Sequence, residues 1–218
     1  MDQYTFVIQA RLGSTRLPGK VLLRFGESTI LGHLIKELIE AGLKREQIIV
    51  ATTAREIDDL IEDYVEKLGI STVRGDEENV LSRYQIAARK VSTPNIVRLT
   101  ADNPLPDFDL ITYCLNQHEK VNSDMTSTRE IDADQRVIRY APKGASIDIL
   151  KKSSLLDINH ELCTPFEKEH VIPYFYRNYN VFVVKDYQSN REELSIDTID
   201  DYHRVCNYYQ KNIKRCCS

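Results

Sequence analysis

Three cations crowd one short stretch of the chain. Residues 9–20, Gln-Ala-Arg-Leu-Gly-Ser-Thr-Arg-Leu-Pro-Gly-Lys, hold Arg11, Arg16 and Lys20 together with Gly13 and Gly19. Guanidinium and ammonium groups bind phosphate oxygens, and glycines let backbone amides approach an anion closely. Ser14 and Thr15 add hydroxyl and amide donors. The stretch is not a Walker A loop: Gly13 and Gly19 stand one residue too far apart, and Val21 follows Lys20 where Ser or Thr is needed. Nor is it G-x-G-x-x-G. A solvated basic loop is the bland reading of any one feature. Three cations, two glycines and a position straight after an apolar run together favour a polyphosphate site. A loop position would leave Lys20 with little core packing.

Asp102 is the second candidate. It follows the apolar run 95–100 and precedes Asn103-Pro104. A carboxylate beside a phosphate loop suits Mg²⁺, which takes one or two protein carboxylates plus phosphate oxygens and water. An Asx-turn before Pro104, or a cap on the next helix, explains Asp102 equally well from the residues alone. The acidic run Glu56, Asp58, Asp59, Glu62 and Asp63 reads as the solvated face of a helix. The five histidines show no paired-ligand spacing. His170 is placed either near an acceptor or partner, or on the surface. Tyr174, Phe175, Tyr176 and Tyr179 read as core or dimer contact.

These groups need elements to hold them. The spacing predicts strands at 4–9, 47–52, 71–74 and 95–100, with amphipathic helices at 30–39, 57–68 and 80–91 between them. Near-continuous apolar strands alternating with helices argue for a parallel sheet covered on both faces. In such sheets ligands sit at the carboxyl ends of the strands, near a switch in strand order. The loop after Gln9 and the segment after Thr100 lie at such ends. The second half is less regular. It predicts a helix at 107–117, a polar hairpin or loop over 121–142 reaching away from the core, and a strand at 146–150. A broken helical region at 155–177, strands at 181–184 and 194–196, and a final helix near 198–211 complete the chain.

With 218 residues, 42% hydrophobic and 28% charged, the chain reads as one domain, 1–218, able to bury a full core. A net charge of −4 and a pI of about 5.8 argue against nucleic acid as a partner. No stretch approaches the ~20 apolar residues of a membrane helix, and the start at Met1 carries no signal-peptide pattern. Five cysteines without C-x-x-C spacing, including the bland Cys216-Cys217 pair, suit a reducing cytoplasm.

The stretch IQARLGSTRLPGKVL resembles the N-terminal signature of the sugar-nucleotide cytidylyltransferases, in the branch like the spore-coat polysaccharide biosynthesis protein F. The acylneuraminate and 3-deoxy-manno-octulosonate cytidylyltransferases are more distant relatives. The resemblance continues in order through Val50-Ala51-Thr52-Thr53, then Arg74-Gly75-Asp76 with Asn79-Val80-Leu81-Ser82-Arg83-Tyr84. Arg98-Leu99-Thr100-Ala101-Asp102-Asn103-Pro104, Glu169-His170-Val171-Ile172-Pro173-Tyr174 and Ser195-Ile196-Asp197-Thr198 follow. It implies a Rossmann-like, mainly parallel mixed sheet with helices on both faces, the nucleotide-diphospho-sugar transferase fold. It implies that CTP binds to Ala10, Arg11, Leu12, Gly13, Ser14, Arg16, Lys20 and Thr52, with Arg74 and Arg83 nearer base and ribose. Arg11, Lys20 and Asp102 are then the catalytic group, and Asp102 with Asp197 holds Mg²⁺. The partners implied are CTP and an acidic sugar acceptor, with a homodimer as the common assembly. One departure concerns the acceptor. Relatives often carry a glutamate soon after the Pro-x-Gly turn, here Pro142-Lys143-Gly144, whereas this chain supplies the shorter Asp148. A nucleotidyltransferase using another base and an inactive nucleotide-binding module are the alternatives; two metal carboxylates argue against the second.

Overall fold

Polar backbone buried in a core must be paired, and here one seven-stranded sheet does most of that work. The computed structural model describes residues 1–212 apart from 133, 135 and 190, so Cys216 and Cys217 lie outside the described residues. The chain runs through β1 (Tyr4–Gln9), a small hairpin of β2 (Arg24–Phe25) and β3 (Ser28–Thr29), α1 (Ile30–Glu40) and β4 (Ile48–Thr53). It continues with α2 (Asp59–Lys67), β5 (Ser71–Gly75), α3 (Val80–Lys90), β6 (Asn95–Thr100) and α4 (Phe108–Val121). The second half holds β7 (Met125–Ser127), β8 (Arg129–Ile131), β9 (Val137–Arg139), β10 (Asp148–Lys151), α5 (Lys152–Asp157), α6 (Pro165–His170) and α7 (Ile172–Asn178). β11 (Val181–Val183) and α8 (Ile199–Asn212) end it.

The sheet order is β11-β7-β10-β6-β1-β4-β5. β5, β4, β1 and β6 are parallel, and β10 runs antiparallel to both of its neighbours. Strand side chains alternate between faces. Phe6 and Ile8 face α1, α2 and α4, while Val7 and Ile49 face α3, α5 and α7. Each fully buried Ile, Leu or Phe contributes ~1.5–3 kcal/mol, so this double burial is why the parallel strands read as unbroken apolar runs. Thr29 caps α1 by accepting the Gly32 amide at 2.9 Å. The strand order switches at β1, whose Gln9 lies beside Thr100 of β6. The carboxyl ends of these two strands form the floor of the site.

The second half corrects three expectations. The polar stretch after Val121 does contain a projecting hairpin, β8 with β9, but Met125–Ser127 is a buried strand between β10 and β11. Residues 155–177 break into three separate short helices. The predicted strand at 194–196 is irregular: its amides donate to Lys143 and Asp102 carbonyls, each at 3.0 Å, instead of to a ladder. A third, smaller core of Phe25, Ile30, Leu105, Leu194, Ile196 and Val205 holds that segment and α8 in place.

Candidate active site

The loop after β1 is anchored from below. Leu12 is buried, and its amide donates to Asp58 Oδ1 at 2.8 Å. Asp58, 1% exposed, also accepts from the Thr53 hydroxyl, so it is a structural clamp and not part of a solvated face. The Leu12 carbonyl takes the amides of Ser14 and Gly19, at 2.8 and 2.9 Å. Among the described residues, the Gly13, Thr15 and Arg16 amides have no acceptor. Gly19 adopts φ +70°, a left-handed conformation that suits glycine. That turn feeds Lys20 into a single 3₁₀ turn, Lys20–Leu22, pointing inward. Lys20 is therefore buried, contrary to its expected place on an open loop.

Lys20 Nζ donates to Ile196 O at 2.7 Å, Asp102 Oδ2 at 2.8 Å and Asp197 Oδ1 at 3.1 Å. Residues 95 apart in sequence thus converge on one ammonium. The Ile196 amide, bonded to the Asp102 carbonyl at 3.0 Å, brings Asp197 there. Gly144 makes the approach possible: it has φ +99°, and a Cβ would stand 2.7 Å from the Ser195 nitrogen. Lys143 Nζ bonds Asp197 Oδ2 at 2.7 Å, and Arg16 reaches Asp197 Oδ1 at 3.0 Å. Burial disfavours the charged form of Asp197, but hydrogen bonds from Lys143 and Lys20 outweigh it and hold the carboxyl below its usual range.

A cavity of about 230 Å³ opens over this cluster, lined by Ala10, Arg11, Ser14, Arg16, Lys20, Asp102 and Asp197. Gln9, Thr100 and Arg83 close its far side. Arg83 is only 2% exposed, and its Nε and Nη1 have no partner among the described residues. A buried, half-satisfied guanidinium facing a cavity is the mark of a ligand-binding group. Four expected nucleotide residues are not brought to the cavity. Leu12 is core, Gly13 lies under the Glu77 carboxylate, and Thr52 is buried within the sheet. Arg74 turns away towards α2, with its guanidinium on Thr53 O, Arg55 O, Asp59 and Glu62.

A second recess of about 150 Å³ adjoins the first and shares Thr100, Asp102 and Asp197 with it. Sequence reading missed it. Arg98, Arg129, Arg139 and Lys143 line it, from β6, β8, β9 and the turn before β10. Asp148, 1% exposed, bonds Arg98 Nη1 at 3.1 Å, the Arg129 guanidinium and, at 2.8 Å, the Ser127 hydroxyl. Its burial alone would raise its pKa; Arg129 and Arg98 reverse that and lower it. The Arg98 Nε and Ser146 Oγ find no partner among the described residues. His170 lies outside both cavities, edge-on to Phe166 at 4.4 Å. Tyr174 and Phe175 are core.

Among the described residues, no three His, Cys, Asp or Glu side chains gather as a metal cage. Two carboxylates around a single cation are nonetheless a donor set that suits Mg²⁺, which completes its shell with phosphate oxygens and water.

The layered sheet and its switch-point cavity define a nucleotidyltransferase fold. A CMP-2-keto-3-deoxy-manno-octonic acid synthetase solved with CTP shares it, with a TM-score of 0.68 at 16% identity, over 97% of this chain and 100% of that one. More closely, the Cytidylyltransferase family model matches residues 5–215, and the chain belongs to that family. The spore coat polysaccharide biosynthesis protein SpsF of Bacillus subtilis (strain 168) is 32% identical over 221 residues, covering 97% of this chain and 88% of that protein. A cytidylyltransferase structure from Leptospira borgpetersenii superposes with a TM-score of 0.80 at 32% identity, over 95% and 87% of the two chains. The 3-deoxy-manno-octulosonate cytidylyltransferase of Methylococcus capsulatus is 33% identical over 113 residues, half of this chain and 42% of that protein. No helix among the described residues is long and apolar enough to cross a membrane.

Proposed function

We propose that the chain is a Mg²⁺-dependent cytidylyltransferase that transfers CMP from CTP to the hydroxyl of an acidic sugar, releasing pyrophosphate, for a surface polysaccharide. The observation that carries the reading is that the two cavities meet at Asp102 and Asp197. A group passed from one ligand to the other must cross that wall. The sugar hydroxyl oxygen bonds the α-phosphorus, the bond from that phosphorus to the β-phosphate oxygen breaks, and the hydroxyl proton passes to solvent. Arg11 and Arg16 offset charge on the departing pyrophosphate, and the free amides of the loop receive its oxygens. Asp102 and Asp197 would hold Mg²⁺, which when bound neutralises charge on the phosphoryl oxygens. Most of the rate then comes from positioning, with both substrates fixed against one wall.

The second recess supports an acidic acceptor. Four cations face one buried carboxylate, Asp148, besides the shared pair. That surplus favours an anionic group such as a sugar carboxylate. The names of the relatives support cytidine and an octulosonate-type acid as the two halves of the product. Pyrophosphate release from CTP, UTP, GTP and ATP, each with sugar acids and their neutral counterparts, tests the reading. CTP with a sugar acid should give the fastest release. Faster turnover with UTP or GTP, or equal turnover with neutral sugars, would overturn it.

A further inference from the structure

We infer that Lys20 is a resident stand-in for the divalent cation: its ammonium holds Asp102 and Asp197 together in the free protein and leaves them when metal and nucleotide arrive together. The inference rests on the cytidylyltransferase reading of the same site and adds an order of events to it. An ammonium has three protons and no other donor. All three are spent, on Asp102 Oδ2 at 2.8 Å, Ile196 O at 2.7 Å and Asp197 Oδ1 at 3.1 Å. The side chain is only 10% exposed. In this arrangement Lys20 has nothing left to offer a phosphate, although it lines the cavity beside Arg11 and Arg16. It can serve a triphosphate only by giving up at least one of these three acceptors, and the two carboxylates are the ones an incoming dication can take over.

Charge sets the condition for that exchange. Two carboxylates brought this close need a cation between them, since like charges disfavour each other's ionised form. Around them stand three cations, Lys20, Lys143 and Arg16, a surplus of one positive charge. A dication entering alone would raise that surplus to three. A dication entering with a triphosphate brings its own counter-charge, and Lys20, on a flexible four-carbon stem, can swing to the phosphates. The carboxylates need not move, because the Ile196 amide ties their two segments together through the Asp102 carbonyl at 3.0 Å. Metal and nucleotide are therefore coupled ligands, and Lys20 is the group that couples them.

Mn²⁺ prefers the same oxygen ligands as Mg²⁺ and is counted directly by the electron-spin resonance of its free aqua ion. The nucleotide-free wild type should take up Mn²⁺ weakly, and CTP should tighten uptake by about tenfold or more beyond the Mn²⁺ that CTP alone chelates in a protein-free titration. Lys20→Met should bind Mn²⁺ about tenfold more tightly than wild type without nucleotide, and CTP should add less to it. Circular dichroism checks that the variant folds. Lys20→Gln keeps donors for the carboxylates without the charge and replaces it if it does not. If the wild type takes up no Mn²⁺ even with CTP, the metal reading falls and this inference with it. If it does, but removing the charge at residue 20 leaves or weakens nucleotide-free Mn²⁺ binding, only the stand-in role is overturned.

Discussion

The two cavities share a wall yet are built by different means. The cavity proposed for the triphosphate rests largely on backbone: strand ends of the parallel half, a loop pinned by Asp58, and unpaired amides at Thr15 and Arg16. The recess proposed for the acceptor rests on long side chains that reach in from β6, β8 and β9 around one buried carboxylate on the antiparallel strand β10. A phosphate chain presents the same oxygens in every round of chemistry, so fixed backbone donors serve it. An acceptor is read by groups whose identity can change without disturbing the sheet. Where the two constructions meet, at Asp102 and Asp197, a change should damage both.

That junction gives the largest expected effect. Asp102→Asn keeps the shape and removes the charge. Turnover should fall by at least about 100-fold, the loss of a few kcal/mol of transition-state stabilisation. CTP binding measured by calorimetry should survive. Asp197→Asn should behave alike, and the double variant should be little worse than either, because groups serving one ion act as a unit. Full activity in Asp102→Asn would break the idea of a shared working wall.

Next comes Asp148, which holds the recess together. Asp148→Asn leaves Arg98 and Arg129 facing each other in a buried place. Urea unfolding should show a loss of about 3 kcal/mol, the usual cost of stripping one partner from a buried ion cluster. The pH dependence follows from the direction of its shift. The folded carboxyl titrates below its unfolded value. It stabilises the fold above the unfolded pKa, near 4, and that contribution fades as pH falls further through the folded pKa. The variant should lose this acid-limb slope. A wild-type slope retained in Asp148→Asn would place the titration elsewhere.

The same contrast explains what the sequence made legible. β1 and β6 occupy the expected residues because double burial writes itself as an apolar run. The basic loop after β1 was visible because its candidate chemistry is contiguous. β7 was not: Met125–Ser127 is buried, but Thr126 and Ser127 satisfy their hydroxyls on His118 and Asp148, so two polar residues of the three sit in the sheet. The second recess was invisible for a related reason. Arg98, Arg129, Arg139 and Lys143 are scattered over 46 residues, and only the tertiary fold gathers them, with Arg98 and Arg129 meeting on Asp148. Asp58 looked like one acid among five on a helix face; the pattern held no sign that it would turn inward.

Arg139 sharpens the comparison at a smaller scale. It sits exposed on the hairpin and, unlike Arg98, Arg129 and Lys143, has no ion-pair partner among the described residues. Arg139→Ala should raise the KM for the acidic acceptor by about tenfold, the loss of one charge-assisted hydrogen bond, and leave the KM for CTP unchanged. A rise in the KM for CTP instead would merge the recess with the triphosphate site.

The smallest effect is expected at Arg74, although the resemblance to cytidylyltransferases places it near the nucleotide. Its Nε donates to Thr53 O at 2.9 Å, its Nη2 to Arg55 O at 2.8 Å, and its Nη1 pairs with Asp59 and Glu62 at 2.5 and 3.0 Å. Every edge of the guanidinium is thus committed to the turn after β4 and to α2. Freeing it for CTP would strip its guanidinium from two carboxylates and two carbonyls, with the Thr72 hydroxyl, at 2.7 Å, left on Glu62. Arg74→Ala should therefore cost about 1 kcal/mol of stability in urea unfolding, as expected for partly exposed pairs acting together. CTP affinity by calorimetry should change by less than about twofold, since no binding contact is removed. A tenfold loss of CTP affinity without loss of stability would show that Arg74 swings to the nucleotide. The cavity proposed for the triphosphate would then draw on a second long, movable side chain besides Lys20.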